Sequence, residues 1–241
     1  MADATTSAPA ASANPALRPR YVRRFTLTER ALHWVHASAF FVLLGSGLVL
    51  YLPALSTAVA RRPLIKDIHF WTGISWAGAL VLIVLLGNRA AIMRTIREID
   101  LFDRDDRRFL RGNVSSPQGR FNAGQKVNAI ITAAFAVLFF VSGLLLWLGE
   151  RNTDIRLSGT LYLHDALMYL SVVIVIGHLY LALINRSTRH ALRGITLGTV
   201  REDWARAHHT KWQPPPAERQ PAPTPRRCAT RHIEPPRRPF E

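Results

Sequence analysis

The sequence predicts an all-α integral membrane protein, a four-helix transmembrane bundle with both termini in the cytoplasm and a disordered tail at each end. Three observations predict it. Four apolar stretches of bilayer-spanning length alternate with strongly basic segments. The Lys and Arg residues fall almost entirely on one side of those stretches when the chain is threaded back and forth. The 241 residues combine a net charge of +15 with a hydrophobic fraction of 49%, so the near-neutral mean hydropathy averages two very different kinds of segment.

The chain opens with residues 1–22, an arm of mostly Ala, Ser, Thr and Pro that ends in basic residues. No apolar core follows Met1, so the arm reads as disordered rather than as a secretory signal. The four apolar runs cover about residues 31–52, 68–87, 127–149 and 161–184. A helix needs about 20 apolar residues to cross about 30 Å of hydrocarbon. Buried helices of a soluble protein rarely stay this free of charge over such lengths. Residues 23–212 are therefore one membrane domain. Residues 213–241 hold nine of the fifteen prolines, several arginines and little that is apolar, the composition of a disordered Pro/Arg-rich tail.

Five Lys and Arg precede the first run, nine separate the second from the third, and twelve follow the fourth. The other two loops hold three and two. With both ends inside, 26 basic residues are cytoplasmic and five are not, which sets the orientation as N-in and C-in. The charge is thus an orientation signal. Acids such as Asp103, Asp105 and Asp106 interleave with it, no nucleic-acid motif is present, and the surplus on the tail suits anionic membrane lipid. Ile92, Met93, Ile96 and Ile99 beside Arg94 and Arg97 predict a short helix lying on the membrane surface. Thr199 with Glu202 predicts a capping box opening a helix over residues 200–209.

The lone cysteine, Cys228, excludes an intramolecular disulfide, a Cys-rich zinc site and a cysteine-ligated iron–sulfur cluster. Thioether attachment of haem is excluded because no Cys-x-x-Cys-His occurs. Histidine remains. His33, His36, His69, His164 and His178 lie in or at the rims of the spans. His164 and His178 are about 21 Å apart along a helix and return to within about 40° of the same face. Helix direction then sets two pairs by depth: His69 with His164 near the outer surface, His33 with His178 near the inner. Ionisable groups at membrane depth are costly and face the bundle interior. Depth-matched imidazoles on facing helices suit bis-histidine ligation of haem iron. Ser46, Gly47, Gly73, Ser142, Gly143 and Gly177 supply small side chains that make room. Zinc fits less well, because two imidazoles leave its coordination incomplete. His36 competes with His33 on the same helix face. A metal- or proton-binding anchor or transporter is the alternative from another class. Asp165 is the one acid well inside the fourth span, either reaching the outer headgroups or orienting a ligand imidazole.

These residues also carry a resemblance. Arg30-Ala-Leu-His33-Trp34, Ser46-Gly47-Leu48 and Ile68-His69-Phe70-Trp71-Thr72-Gly73 resemble the cytochrome b (gamma) subunit of membrane-bound formate dehydrogenase. So do the stretch from Gly119 through Asn122 and Gln125 to Lys126, His164 and His178 in their settings, and the closing run from Trp204 to Trp212. The likeness covers about residues 23–213. It lies within the wider di-haem b-type cytochromes of hydrogenases and molybdenum oxidoreductases, thiosulfate reductase among them, whose chains remain the alternative reading. Asp165 and the two tails depart from the pattern.

The resemblance implies two haem b groups, the outer on His69 and His164 and the inner on His33 and His178. It implies a menaquinone (or other quinone) site at Asn122 and Gln125, with Lys126 near. From the residues alone, Asn122 reads equally as a helix cap. The implied partners are an iron–sulfur beta subunit and a molybdenum- or tungsten-containing alpha subunit, in a higher-order assembly at the bacterial inner membrane. This chain would pass electrons inward to quinone and would not oxidise formate by itself.

Overall fold

The computed structural model describes residues 20–214, so the two tails expected at 1–22 and 213–241 lie almost wholly outside the described residues. Among the described residues, four helices are long and apolar enough to cross a membrane. They are α1 (Leu27–Tyr51), α3 (Arg62–Leu86), α6 (Ala123–Gly149) and α7 (Thr160–Leu179), the last continued by a π-turn over Tyr180–Ile184. Between them lie α2 (Pro53–Val59), α4 (Arg89–Asp100) and α5 (Arg104–Leu110), and after them α8 (Leu192–Leu197) and α9 (Glu202–His208).

Local chemistry sets the helix starts. Thr26 and Glu29 form a capping box on α1, Asn122 and Gln125 one on α6, and Asp103 and Asp106 one on α5. Each satisfies two backbone groups that a helix terminus would otherwise leave unpaired. The first and third membrane helices therefore begin ahead of their apolar runs, because the caps, and not the apolar composition, fix the first turn. α3 starts on Pro63 in the first turn, where a missing N–H costs nothing.

The helices pack as two antiparallel pairs. α1 lies against α3, with His36 facing Trp76 and Ser46 facing His69. α6 lies against α7, with Ser142 facing His164. Most outward-facing Leu, Val, Ile and Phe residues are exposed on the protein, as surfaces solvated by lipid tails are. The buried positions in these helices include Ser46, Ser142, Ser171, Thr160 and Gly149, small residues that let helix backbones approach.

One feature departs from an all-α expectation. Tyr21–Arg23 (β1) and Thr199–Arg201 (β2) pair antiparallel, with Val22 opposite Val200. Both valines are fully buried and pack with Ala205, Trp204 and Trp212. Gly198 makes this possible: its φ of 83° turns the chain into β2, and its carbonyl accepts the Arg24 and Phe25 N–H groups at 2.8 and 3.2 Å. The capping box expected at Thr199 does not form. Thr199 sits in the strand opposite Arg23, the N-cap of α9 is Arg201 without a side-chain bond, and the Glu202 carboxylate binds Arg206 instead. Pairing with β1 overrode a local motif that only a helix start could have used.

α4 is amphipathic, as its pattern predicts, but its apolar stripe is divided. Ile92 is buried while Met93 and Ile96 are exposed. The helix is held from its polar side, where Asn88 caps it and takes the hydroxyl of Thr28 as acceptor. The segments around residues 20–30, 88–126 and 185–214 thereby knit into one layer at one end of the long helices. Arg30 and Trp34 donate to the Ile195 carbonyl, and Lys211 pairs with Asp103 and Asp105.

Candidate functional site

Two histidine pairs stand at opposite ends of the long helices. The rings of His69 on α3 and His164 on α7 have centroids 6.2 Å apart. Those of His33 on α1 and His178 on α7 are 6.3 Å apart. Two imidazoles on one metal ion each place a nitrogen about 2 Å from it, with the ring centre about 1 Å further back, so their centroids stand about 6 Å apart. Both pairs have that spacing. His36 does not share it: its ring packs on Trp76 at 5.6 Å. The structure thus brings His33, rather than His36, to His178.

Among the described residues no three His, Cys, Asp or Glu side chains gather in a way that could hold a bare metal ion. A pair of facing imidazoles would hold the iron of a haem, whose porphyrin supplies the remaining donors. The donor set therefore fits haem better than a metal ion bound by protein alone.

The His69–His164 pair is buttressed alike on both sides. Ser46 Oγ lies 2.9 Å from His69 Nδ1, and Ser142 Oγ lies 2.8 Å from His164 Nδ1. Glycine follows each serine. A Cβ on Gly47 would stand 3.4 Å from His69 Cε1, and one on Gly143 would stand 3.4 Å from His164 Cε1. A methyl would just touch each ring, and a larger side chain would displace it. Asp165, next to His164, makes no bond to the imidazole of His69 or His164; its fourth-on neighbour Tyr169 bonds Tyr51 across to α1 at 2.6 Å.

The end that holds His33 and His178 is built differently. His33 Nδ1 is buried without a hydrogen-bond partner. Asn122 and Gln125 are engaged in the α6 cap: Asn122 Oδ1 accepts from the Gln125 N–H at 2.8 Å, and Gln125 Oε1 accepts from the Asn122 N–H at 3.1 Å. Gln125 Oε1 also accepts from Arg24 at 3.2 Å. With the oxygen used twice, the orientation of the amide is fixed, and its NH2 is left as a donor. Lys126 is buried, and its ammonium donates to Asp106 and to the Leu101 carbonyl, both at 2.7 Å.

Beneath this cap lie two arginines that charge counting read only as orientation signals. Arg24 and Arg120 are 2% and 4% exposed, so they are interior residues. Arg24 donates to the Arg120 carbonyl at 2.7 Å, and Arg120 to the Arg24 carbonyl at 2.9 Å. Arg120 further binds Glu29, Glu98 and Thr95. Among the described residues no carboxylate pairs with Arg24; Gln125 stands where Glu29 stands for Arg120. Burial, then the charge of Arg120, lowers the Arg24 guanidinium to about 9, still protonated at neutral pH.

This reciprocity exposes an internal repeat that the sequence reading missed. Arg24-Phe25-Thr26 and Glu29 correspond to Arg120-Phe121-Asn122 and Gln125, at a separation of 96 residues. Ser46-Gly47-Leu48 corresponds to Ser142-Gly143-Leu144 at the same separation. The signal was present as two like runs, residues 46–52 and 142–148, each Ser-Gly-Leu followed by four more apolar residues. Each half supplies an arginine, a cap and a serine that meets the histidine of the next long helix.

His209, 2% exposed, donates from Nδ1 to the Gly119 carbonyl at 2.6 Å. Burial, followed by the charge of Arg24, lowers its imidazole from 6.5 to about 3. Between those two values the unfolded chain binds a proton that the folded one refuses, so stability is full above pH 6.5 and falls as pH drops toward about 3. His209→Asn, which keeps a donor for Gly119, should flatten the fall in melting temperature between pH 6.5 and 5. An unchanged pH profile would show that His209 does not carry it.

Four long apolar helices with imidazoles facing each other between them define a helical membrane protein of the b-type cytochrome class. Comparison with known proteins agrees: the chain belongs to the prokaryotic cytochrome b561 family, whose model matches residues 24–198. Among its relatives is the formate dehydrogenase cytochrome b556(fdo) subunit of Escherichia coli strain K12, 26% identical over 196 residues, 78% of this chain and 90% of that one. The formate dehydrogenase cytochrome b556 subunit of Haemophilus influenzae is 24% identical over 208 residues, 80% and 82% of the two chains. The nitrate-inducible b556(Fdn) subunit of Escherichia coli K12 is 22% identical over 209 residues, 81% and 91%.

Proposed function

We propose that this chain is the di-haem cytochrome b subunit of a formate dehydrogenase, carrying electrons from an outer iron–sulfur and molybdenum or tungsten partner to menaquinone at the inner face of a bacterial cytoplasmic membrane. The observation that carries the proposal is the pairing of four imidazoles, two pairs at opposite ends of the helices, each at the spacing of a shared iron. His69 and His164 would hold the outer haem, His33 and His178 the inner. When bound, the haems supply one-electron transfer between a two-electron donor outside and a two-electron quinone inside.

The basic layer formed by residues 20–30, 88–126 and 185–214 suits the cytoplasmic side, with both ends of the chain there. Drawing each electron fully inward then does work of about 2.3 kcal/mol per 100 mV of membrane potential, which is how the complex would conserve energy. A quinone site at the start of α6 is supported by the free donor of Gln125 beside Asn122, whose amide Arg24 helps to hold. Lys126 stands behind them and pins α5 through Asp106.

The test is stopped-flow on the purified complex. Gln125→Ala should leave the haem spectrum and content unchanged while slowing reduction by a menaquinol analogue about tenfold or more. Full haem content with an unchanged rate would remove the quinone from this site, and a preparation without a b-type α-band would remove the whole proposal.

A further inference from the structure

We propose that Ser46 and Ser142 are a matched pair of positioning residues that fix the tautomer of the outer histidines and set the outer haem below the inner one in reduction potential. The inference rests on the bis-imidazole reading given above.

The hydrogen positions follow from the bonding. Ser46 Oγ is 2.7 Å from the Val42 carbonyl, and Ser142 Oγ is 2.6 Å from the Leu138 carbonyl. Each is the residue four positions earlier in the same helix, and a carbonyl can only accept. The single hydroxyl proton of each serine is therefore spent on its own helix. The oxygen lone pairs remain, and they face Nδ1 of His69 at 2.9 Å and of His164 at 2.8 Å. Nδ1 must then carry the proton and donate, leaving the Nε2 lone pair free for a metal. A Cβ at Gly47 or Gly143 would stand 3.4 Å from Cε1 of the neighbouring imidazole, so the glycines leave each ring room to meet its serine.

The inner pair has no such support. His33 Nδ1 is buried and unpartnered, and no described residue hydrogen-bonds His178. The internal repeat explains the contrast. Both copies of the serine face the outer end, so the duplication supplied acceptors to one site and none to the other.

An acceptor on Nδ1–H makes an imidazole the stronger electron donor. That favours the more highly charged ferric state, so potential falls where the acceptor is present. The outer site, with two acceptors, is the low-potential site, and the inner site, with none, is the high-potential one. Electron movement from outside to inside is then downhill within this chain, before any quinone is involved.

The test is a spectroelectrochemical titration of the purified complex, with haem content measured alongside. Wild type should titrate in two one-electron steps. Ser46→Ala with Ser142→Ala should raise the lower step alone, by about tenfold in the ferric/ferrous equilibrium, about 59 mV for one electron. Ser46→Thr with Ser142→Thr, which keeps both acceptors, should return it. Full haem content with both steps unmoved would overturn the inference, as would an equal shift of both steps. Loss of the outer haem in the Ala and Thr variants alike would assign the serines to packing and overturn it too. A wild-type protein lacking two b haems would instead overturn the underlying reading.

Discussion

His69→Ala and His164→Ala should each leave the complex with one b haem in place of two, and with quinone-linked formate oxidation reduced at least a hundredfold. Dye-linked oxidation by the partner subunits should persist. The size of the effect follows from the geometry. A pair of ring centroids 6.2 Å apart leaves room for one iron and no second donor, and no other His, Cys, Asp or Glu cluster among the described residues can substitute. Removing either ring therefore removes one of the two side chains that would hold the haem iron, while the other imidazole keeps its serine. The His33–His178 pair lies at the far end of α7, a 20-residue helix from Thr160 to Leu179, and shares no side chain with the His69–His164 pair. Its spectrum should survive. The measurement is haem stoichiometry with a reduced-minus-oxidised spectrum on the assembled complex. Either variant retaining two haems would overturn the ligand assignment. His36→Ala should retain both, since its ring meets Trp76 and not a second imidazole.

The long helices were legible from sequence because a bilayer imposes one requirement on every residue of a span: apolar side chains for about 20 positions. The pairing of His69 with His164 and of His33 with His178 followed from helix direction, a one-dimensional property that charge distribution reveals. What stayed hidden depended on long-range contacts. Val22 and Val200 are unremarkable residues until a strand pairing separated by most of the chain buries both. Thr199 and Glu202 satisfied a local capping pattern and lost to that same pairing. Arg24 and Arg120 looked like two more positive-inside charges, since composition cannot distinguish a guanidinium at a lipid surface from one buried under Phe25 and Phe121. Ser46 and Ser142 were recognised as small, and smallness was the lesser part of their contribution. Their hydroxyls matter because α3 and α7 present a histidine at the matching height. The sequence did contain the clue, as a repeated Ser-Gly-Leu, but a repeat of three residues gains meaning only when both copies are seen to do the same thing.

Arg120→Met should destabilise the membrane domain far more than Arg24→Met, although the two arginines are equally buried and bonded to each other. Arg120 bridges three segments: Glu29 on α1 at 2.8 Å, Glu98 on α4 at 2.5 Å together with Thr95, and the Arg24 carbonyl ahead of α1 at 2.9 Å. Deleting its charge leaves the Glu29 carboxylate, 9% exposed, without a cation. Breaking a buried pair by removing one partner costs about 3–5 kcal/mol, because the remaining charge stays desolvated. Arg24 presents the opposite case. Among the described residues it has no carboxylate and no partner for its Nε, and it sits between Phe25 and the Trp204 ring. Replacing an unpaired buried cation with a methionine of similar length removes a desolvated charge as well as two hydrogen bonds to neutral acceptors, so the net cost should be about 1–2 kcal/mol or less. Arg120→Lys should fall in between, because a point charge cannot reach acceptors arranged for a planar fork. Thermal melting of the complex in detergent, with haem absorbance as the readout, orders the three variants. If Arg24→Met and Arg120→Met melt together, the substitution of Gln125 for a second glutamate has no energetic consequence. If Arg24→Met is nearly silent in stability but alters the menaquinol reaction, the unpaired guanidinium is kept for what it does to Gln125 rather than for the fold.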